Sequence, residues 1–124
     1  MESHLTIDQV SRRTGLSAYT LRYYERIGLI APISRAVGGR RCYLTSDLAW
    51  IEFLLRLRMT NMPIGKMQAF AKLRSAGDST VADRRRFLEE YLIEVLSKIE
   101  AMDRSVEVLR AKIDYYRSLE TSLI

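Results

Sequence analysis

The chain has 124 residues, 48% of them hydrophobic and 28% charged, with one cysteine, one histidine and a net charge of +5. That length holds one modest domain plus an extension, and the composition is that of a globular chain. The lone Cys42 excludes an internal disulfide, no Cys/His cluster stands ready for zinc, and no apolar run approaches the roughly 18 residues of a membrane span.

The opening MESHLTIDQV carries Glu2 and Asp8 and lacks the basic-then-apolar pattern of a signal peptide, so the expected location is the cytoplasm. Charge is unevenly placed. Residues 1–80 hold 12 Lys/Arg against 6 Asp/Glu, whereas residues 81–124 hold 8 against 9. The basic excess belongs to the front two-thirds, which points to a polyanionic partner, most simply nucleic acid.

The front segment is a series of short, well-punctuated elements. Thr6 followed by Gln9 forms a capping-box pattern, predicting a helix over about 7–14, and Gly15 is its stop. His4, just before it, falls at a frayed terminus. Ser17 caps a second helix, about 18–27, that ends at Gly28. Two short helices joined by a tight glycine-containing turn are a helix-turn-helix candidate. Residues 31–44, APISRAVGGRRCYL, then change character. Pro32 and Gly38-Gly39 break helices, while Ile33, Val37, Cys42 and Tyr43 suit strands, so a two-stranded wing turning at Gly38-Gly39 is expected. Thr45 or Ser46 caps a third helix whose Leu48, Trp50, Ile51, Leu54, Leu55 and Leu57 form a broad buried face. Asn61 is a left-handed stop, Pro63 suits the first turn of a fourth helix reaching about residue 76, and 77–80 is a linker. The domain division is 1–76, a linker at 77–80, a helix at 81–120 and a tail at 121–124.

In the remainder, Leu88, Leu92, Val95, Ile99, Met102, Val106, Leu109, Ile113 and Tyr116 recur in steps that alternate four and three. This is a heptad seam, and a seam that regular needs a second helix of equal length. The chain offers none, so the partner is another copy and the protein is expected to be a homodimer. Ile99, Val106 and Ile113 at one heptad position with Leu109 at the other lean towards a parallel pair.

The second helix carries the chemistry. At 3.6 residues per turn, Leu21 and Tyr24 fall on one side, while Tyr19, Arg22, Tyr23 and Arg26 fall on another. Arginine bonds bidentately to a phosphate or a guanine edge, tyrosine hydroxyls donate to phosphate, and the helix N-terminus at Ser17 and Thr20 favours anions. These are the requirements of a recognition helix in a major groove. Arg35, Arg40, Arg41 and Tyr43 on the wing, and more weakly Lys66 on the fourth helix, extend the set. The competing structural reading makes the tyrosines a covering for core and the charges a solvated face. An enzyme is disfavoured, because one histidine, one cysteine and no carboxylate pair assemble no nucleophile and base.

"LTIDQVSRRTGLSAYTLRYYERIGLI", the wing "GGRRCYLTSDL" and "RMTNMPIGKMQAF" together resemble the MerR family of bacterial transcription regulators, and the likeness runs the length of the chain. The resemblance implies a mainly α fold: a winged helix-turn-helix, then a long dimerisation helix paired as an antiparallel coiled coil, against the parallel lean of the seam itself. It also implies a palindromic operator in double-stranded promoter DNA, bent and untwisted for RNA polymerase; whether a small-molecule effector acts on the protein, or nothing small does, stays open in the sequence. By position, Tyr19, Thr20, Arg22 and Tyr23 belong to the recognition helix, Arg40, Arg41 and Tyr43 to the first wing, and 62–66 to the second. No cofactor is called for.

The short tail with "KIDYY" resembles the small aldehyde- or electrophile-responsive branch, whose thiol sensors carry a cysteine in the third helix. "FLLRLRMTNM" has none, and Arg56 stands near that place. Metal-sensing members place cysteines around the long helix, and this chain has only Cys42, so a soft-metal site is not expected. Cys42 itself reads as a small strand residue packed under the wing rather than a redox switch. The alternative to a DNA-binding regulator is a coiled-coil adaptor whose winged-helix domain binds protein.

Overall fold

A computed structural model describes residues 4–123. The elements, in order, are strand β1 (His4–Leu5), helices α1 (Ile7–Thr14) and α2 (Ala18–Arg26), strand β2 (Tyr43–Leu44), helices α3 (Thr45–Met59) and α4 (Ile64–Ser75), a single 3-10 turn (Asp78–Thr80), and helix α5 (Val81–Ser122). The chain divides into two compact units, the first ending at Arg84 and the second beginning at Arg85.

Local signals set the helix ends. Thr6 and Gln9 close a reciprocal capping box: Thr6 Oγ1 accepts the Gln9 N–H at 3.1 Å and Gln9 Oε1 accepts the Thr6 N–H at 2.8 Å. Ser17 Oγ accepts the Thr20 N–H at 3.1 Å and starts α2. That helix closes with Gly28 at φ +83°, where the Leu29 N–H reaches back to the Tyr24 carbonyl and the Gly28 N–H to that of Glu25. Asn61 holds the left-handed conformation expected of it, at φ +64°. Leu44, rather than Thr45 or Ser46, is the N-cap of α3. Its own side chain cannot accept a hydrogen bond, and the Asp47 carboxylate, three residues on, accepts the Leu44 N–H at 2.8 Å instead. Pro63 is the N-cap of α4, one position ahead of the first helical residue.

The sheet differs from the expected wing. Its two strands are β1 and β2, antiparallel, with His4 opposite Leu44 and Leu5 opposite Tyr43. His4 and Leu5 therefore form a strand where fraying was expected at His4. The wing itself, 33–42, is a hairpin with a single bridge between Arg35 and Arg41. It is closed by Ala36 N–H to Arg40 O at 2.8 Å and Cys42 N–H to Ser34 O at 2.7 Å, and turns through Gly38 and Gly39, both at positive φ. Hydrophobic alternation shows which residues want to be extended, but not which of two edges they pair with.

The first unit buries its own core: Val10 from α1, Leu21 and Tyr24 from α2, Leu29, Ile30 and Ile33 from the following segment, Tyr43 from β2, and Leu48, Trp50, Ile51, Leu54 and Leu57 from α3. Met67 and Phe70 of α4 complete it, with Phe70 stacked on Trp50 at 5.9 Å between centroids. Leu55, expected in the buried face of α3, is only half-buried. Of the second unit only α5 is described. Its 42 residues span about 63 Å at 1.5 Å per residue.

Candidate nucleic-acid interface

Three hydrogen bonds from α3 and α4 anchor the end of α2 and so aim its outer face. Trp50 Nε1 donates to the Leu29 carbonyl at 2.9 Å, in a buried setting. Gln68 Nε2 donates to the Ile27 carbonyl at 2.9 Å, and Arg58 donates to the Tyr24 hydroxyl at 3.3 Å. With Leu21 and Tyr24 inside, the opposite face is left to solvent. Tyr19 is 69% exposed, Arg22 and Arg26 are exposed, and Tyr23 is half-buried with the Arg26 guanidinium 5.4 Å from its ring centroid. The paired tyrosines at 23 and 24 are thus split between surface and core. Ser17 and Thr20 sit at the start of the same helix, and the Ser17 hydroxyl donates to Thr20 Oγ1 at 3.0 Å.

Where α2, the start of α1 and the wing meet, a basin of about 400 Å³ is lined by Thr6, Ile7, Asp8, Arg22, Arg35, Gly39, Arg40 and Arg41. Four guanidiniums face it against one carboxylate. The exposed side chains of Arg22, Arg35 and Arg40 suit phosphate oxygens. Arg35 is preset by a bond from Nη1 to the Gly39 carbonyl at 2.7 Å. Among the predicted wing residues, Arg35 and Arg40 are exposed.

Three of the predicted contact residues are not part of this exposed set. Tyr43 is fully buried, with 0% of its surface exposed, and its hydroxyl has no hydrogen-bond partner among the described residues. Burial pushes its phenol pKa up, helped by the negative charge of Glu25. Its place in β2, opposite Leu5, turns the ring inward into the core of the first unit. Arg41 lines the basin but is engaged by Glu25, with Nε to Oε1 at 2.8 Å and both side chains about four-fifths covered. Lys66, half-buried on α4, is not among the residues lining the basin. Conversely, Thr6 and Asp8 line the basin and Glu25 holds one of its arginines, though no local spacing marks any of the three as a site residue. Glu25 and Arg41 lie 16 residues apart, and no helix or strand period connects them.

Cys42 is half-buried beside the wing, and His4 Nδ1 stands 2.9 Å from its Sγ. Among the described residues there is no group of three or more His, Cys, Asp or Glu side chains placed to hold a metal ion, and no helix long and apolar enough to cross a membrane.

The α5 seam is open. Leu92, Ile99, Met102, Leu109, Ile113 and Tyr116 each expose half or more of their surface, while Leu88, Val95 and Val106 are half-buried. Arg85–Glu89 at 2.8 Å, Arg110–Glu107 and Arg117–Asp114 at 3.7 Å are local i,i+4 or i,i+3 pairs on this helix, all with exposed side chains.

A helix-turn-helix with an exposed arginine–tyrosine face and a basic wing belongs to the nucleic-acid-binding class of folds. Residues 6–43 match the model of the MerR family regulatory proteins. The chain is 41% identical over 86 residues to the HTH-type transcriptional regulator AdhR of Bacillus subtilis, a match that covers 69% of this chain and 61% of AdhR. A crystal structure of a MerR family transcriptional regulator from Listeria monocytogenes is 38% identical, with a TM-score of 0.84 over 90% of this chain and 85% of that one. HiNmlR, a MerR family regulator lacking the sensor domain and crystallised with promoter DNA, is 28% identical, with a TM-score of 0.85 over 96% of this chain and 94% of that one. The chain belongs to the MerR family of transcription regulators.

Proposed function

We propose that this protein works as a homodimer that binds a palindromic operator within double-stranded promoter DNA and distorts it, changing how RNA polymerase engages the promoter. The observation that carries the reading is the continuity of the outward face of α2 (Tyr19, Arg22, Tyr23, Arg26) with the arginine basin under the wing. The helix face is suited to base edges and the basin to backbone phosphates, the division of labour found in specific DNA complexes. The DNA-bound HiNmlR structure, alike over nearly all of both chains, supports the same use here.

The open seam on α5 supports the dimer. Two copies make two reading heads, and a two-fold protein axis calls for a palindromic site. The family likeness supports an antiparallel pairing of the long helices. Deformability of the DNA between the half-sites then contributes to selection alongside base contacts. Any effector that switches the promoter state acts on this dimer.

The test is footprinting on the DNA upstream of the protein's own gene, with affinity measured against salt. The expected result is a symmetric protected site and a steep fall of affinity with salt. An adaptor that binds protein through the same domain shows little affinity for duplex DNA at moderate salt, and that outcome would overturn the reading.

A further inference from the structure

The wing has little of its own to hold its direction. One bridge and two cross-hairpin hydrogen bonds join its strands, and an isolated two-stranded hairpin is marginal in water. Something outside it must set its angle to α2. Glu25, near the end of α2, reaches both wing strands with a single carboxylate. Oε2 accepts the Ile33 N–H at 3.3 Å on the outgoing strand, and Oε1 accepts Arg41 Nε–H at 2.8 Å on the returning strand. The Glu25 and Arg41 side chains are only 17% and 20% exposed, so the pair is largely screened from water, where a charge-assisted bond is at its strongest.

We propose that Glu25 is a positioning residue that locks the wing to the recognition helix, so that helix and wing engage DNA as one rigid reading head, and that Arg41 serves this lock rather than a phosphate. The proposal rests on the DNA-binding reading above. Its chemistry explains why a carboxylate is needed. Both bonds point at Glu25 from donors, so the residue must offer two acceptors. Glutamine, nearly the same shape, offers one acceptor and one donor, and the donor meets another N–H. With one strand released, the wing's Arg35 and Arg40 are no longer held at a set distance from Arg22, and order must be restored on binding.

The two possible roles of Arg41 predict opposite signs for Glu25→Gln. If Glu25 is the lock, E25Q weakens operator binding roughly tenfold, Arg41→Ala does the same, and the double variant is no worse than the weaker single. If Glu25 merely occupies a guanidinium that otherwise contacts phosphate, E25Q frees Arg41 and tightens binding, and that overturns the proposal. Amide hydrogen exchange on the free full-length protein supplies a readout independent of DNA. The Ala36 and Cys42 amides, which close the hairpin, exchange faster in E25Q, while amides within α2 and α3 keep their protection. Unchanged exchange at Ala36 and Cys42 overturns the lock, and protection lost throughout the first unit reassigns Glu25 to general stability and overturns it as well. Wild-type protein without operator affinity counts against the DNA-binding reading, while the exchange arm still decides the lock.

Discussion

The two units of this chain treat apolar side chains in opposite ways. In the first, Val10, Leu21 and Ile51 have no exposed surface, and the core is closed by contributions from every helix up to α4. In the second, Leu92, Ile99, Leu109 and Ile113 lie half or more in water along one stripe of α5. Burying one such side chain is worth about 1.5–3 kcal/mol, so a stripe with six of its nine seam positions exposed by half or more is a large unused driving force. The first unit closes its own core and presents a polar face. The second leaves its seam to be covered by a partner, which in the proposed dimer is a second copy of the helix. Damage to the one should therefore change DNA contact without changing assembly, and damage to the other the reverse.

The sharpest break of that contrast is a charge in the seam. Val106→Asp places a carboxylate in the seam of both copies, costing about 3–5 kcal/mol per buried unpaired charge. Sedimentation is expected to show monomer, with operator binding lost because the two half-sites are no longer engaged together. Retention of the dimer would remove the seam from the interface.

Next in size is Arg22→Ala, on the exposed face of α2. The dimer is expected to stay intact while operator affinity falls by about 1–3 kcal/mol, roughly five- to 150-fold, as read by fluorescence anisotropy. Removing Arg40 from the basin weakens binding to all sequences alike and reduces the salt slope by about 1.

A smaller effect comes from beneath the wing. Tyr43→Phe removes a buried hydroxyl that has no partner, so stability at neutral pH changes by less than about 1 kcal/mol and operator affinity is unchanged. The difference appears in alkali. Burial raises the phenol's folded-state pKa above the ordinary 10.0. Its contribution is therefore fully present below the unfolded pKa and is lost as pH rises through the raised folded value. Wild type should lose stability in that window while Tyr43→Phe is spared this loss, as chemical denaturation across pH 9–12, a range chosen around the usual tyrosine value of about 10, will test.

The smallest expected effect is that of Cys42→Ser. A half-buried thiol packed beside the wing leaves affinity within about twofold of wild type, and alkylation of the wild-type thiol likewise leaves activation unchanged.

Much of this was legible in the residues alone because it depends on neighbours within a turn or two. The capping box at Thr6 and Gln9, the glycine stop at Gly28, the left-handed Asn61 and the inward and outward faces of α2 are all set by spacings of four residues or fewer. The nine-residue seam was equally plain, since each step repeats the same 3.6-residue geometry. What local spacing missed was pairing across distance. β2 found β1 instead of a wing partner, which turned Tyr43 inward and put His4 beside Cys42. Glu25 closed on Arg41 across 16 residues.

The sequence by itself therefore determined the helices, the caps of the first two, the outward face of α2 and the open seam, because each follows from dihedral preference and helical period. Only the tertiary structure decided which arginines are left open to a duplex and which are already occupied. That outcome depends on which oxygen stands within 3 Å of a guanidinium once the chain has turned back on itself, and no period along the chain encodes it.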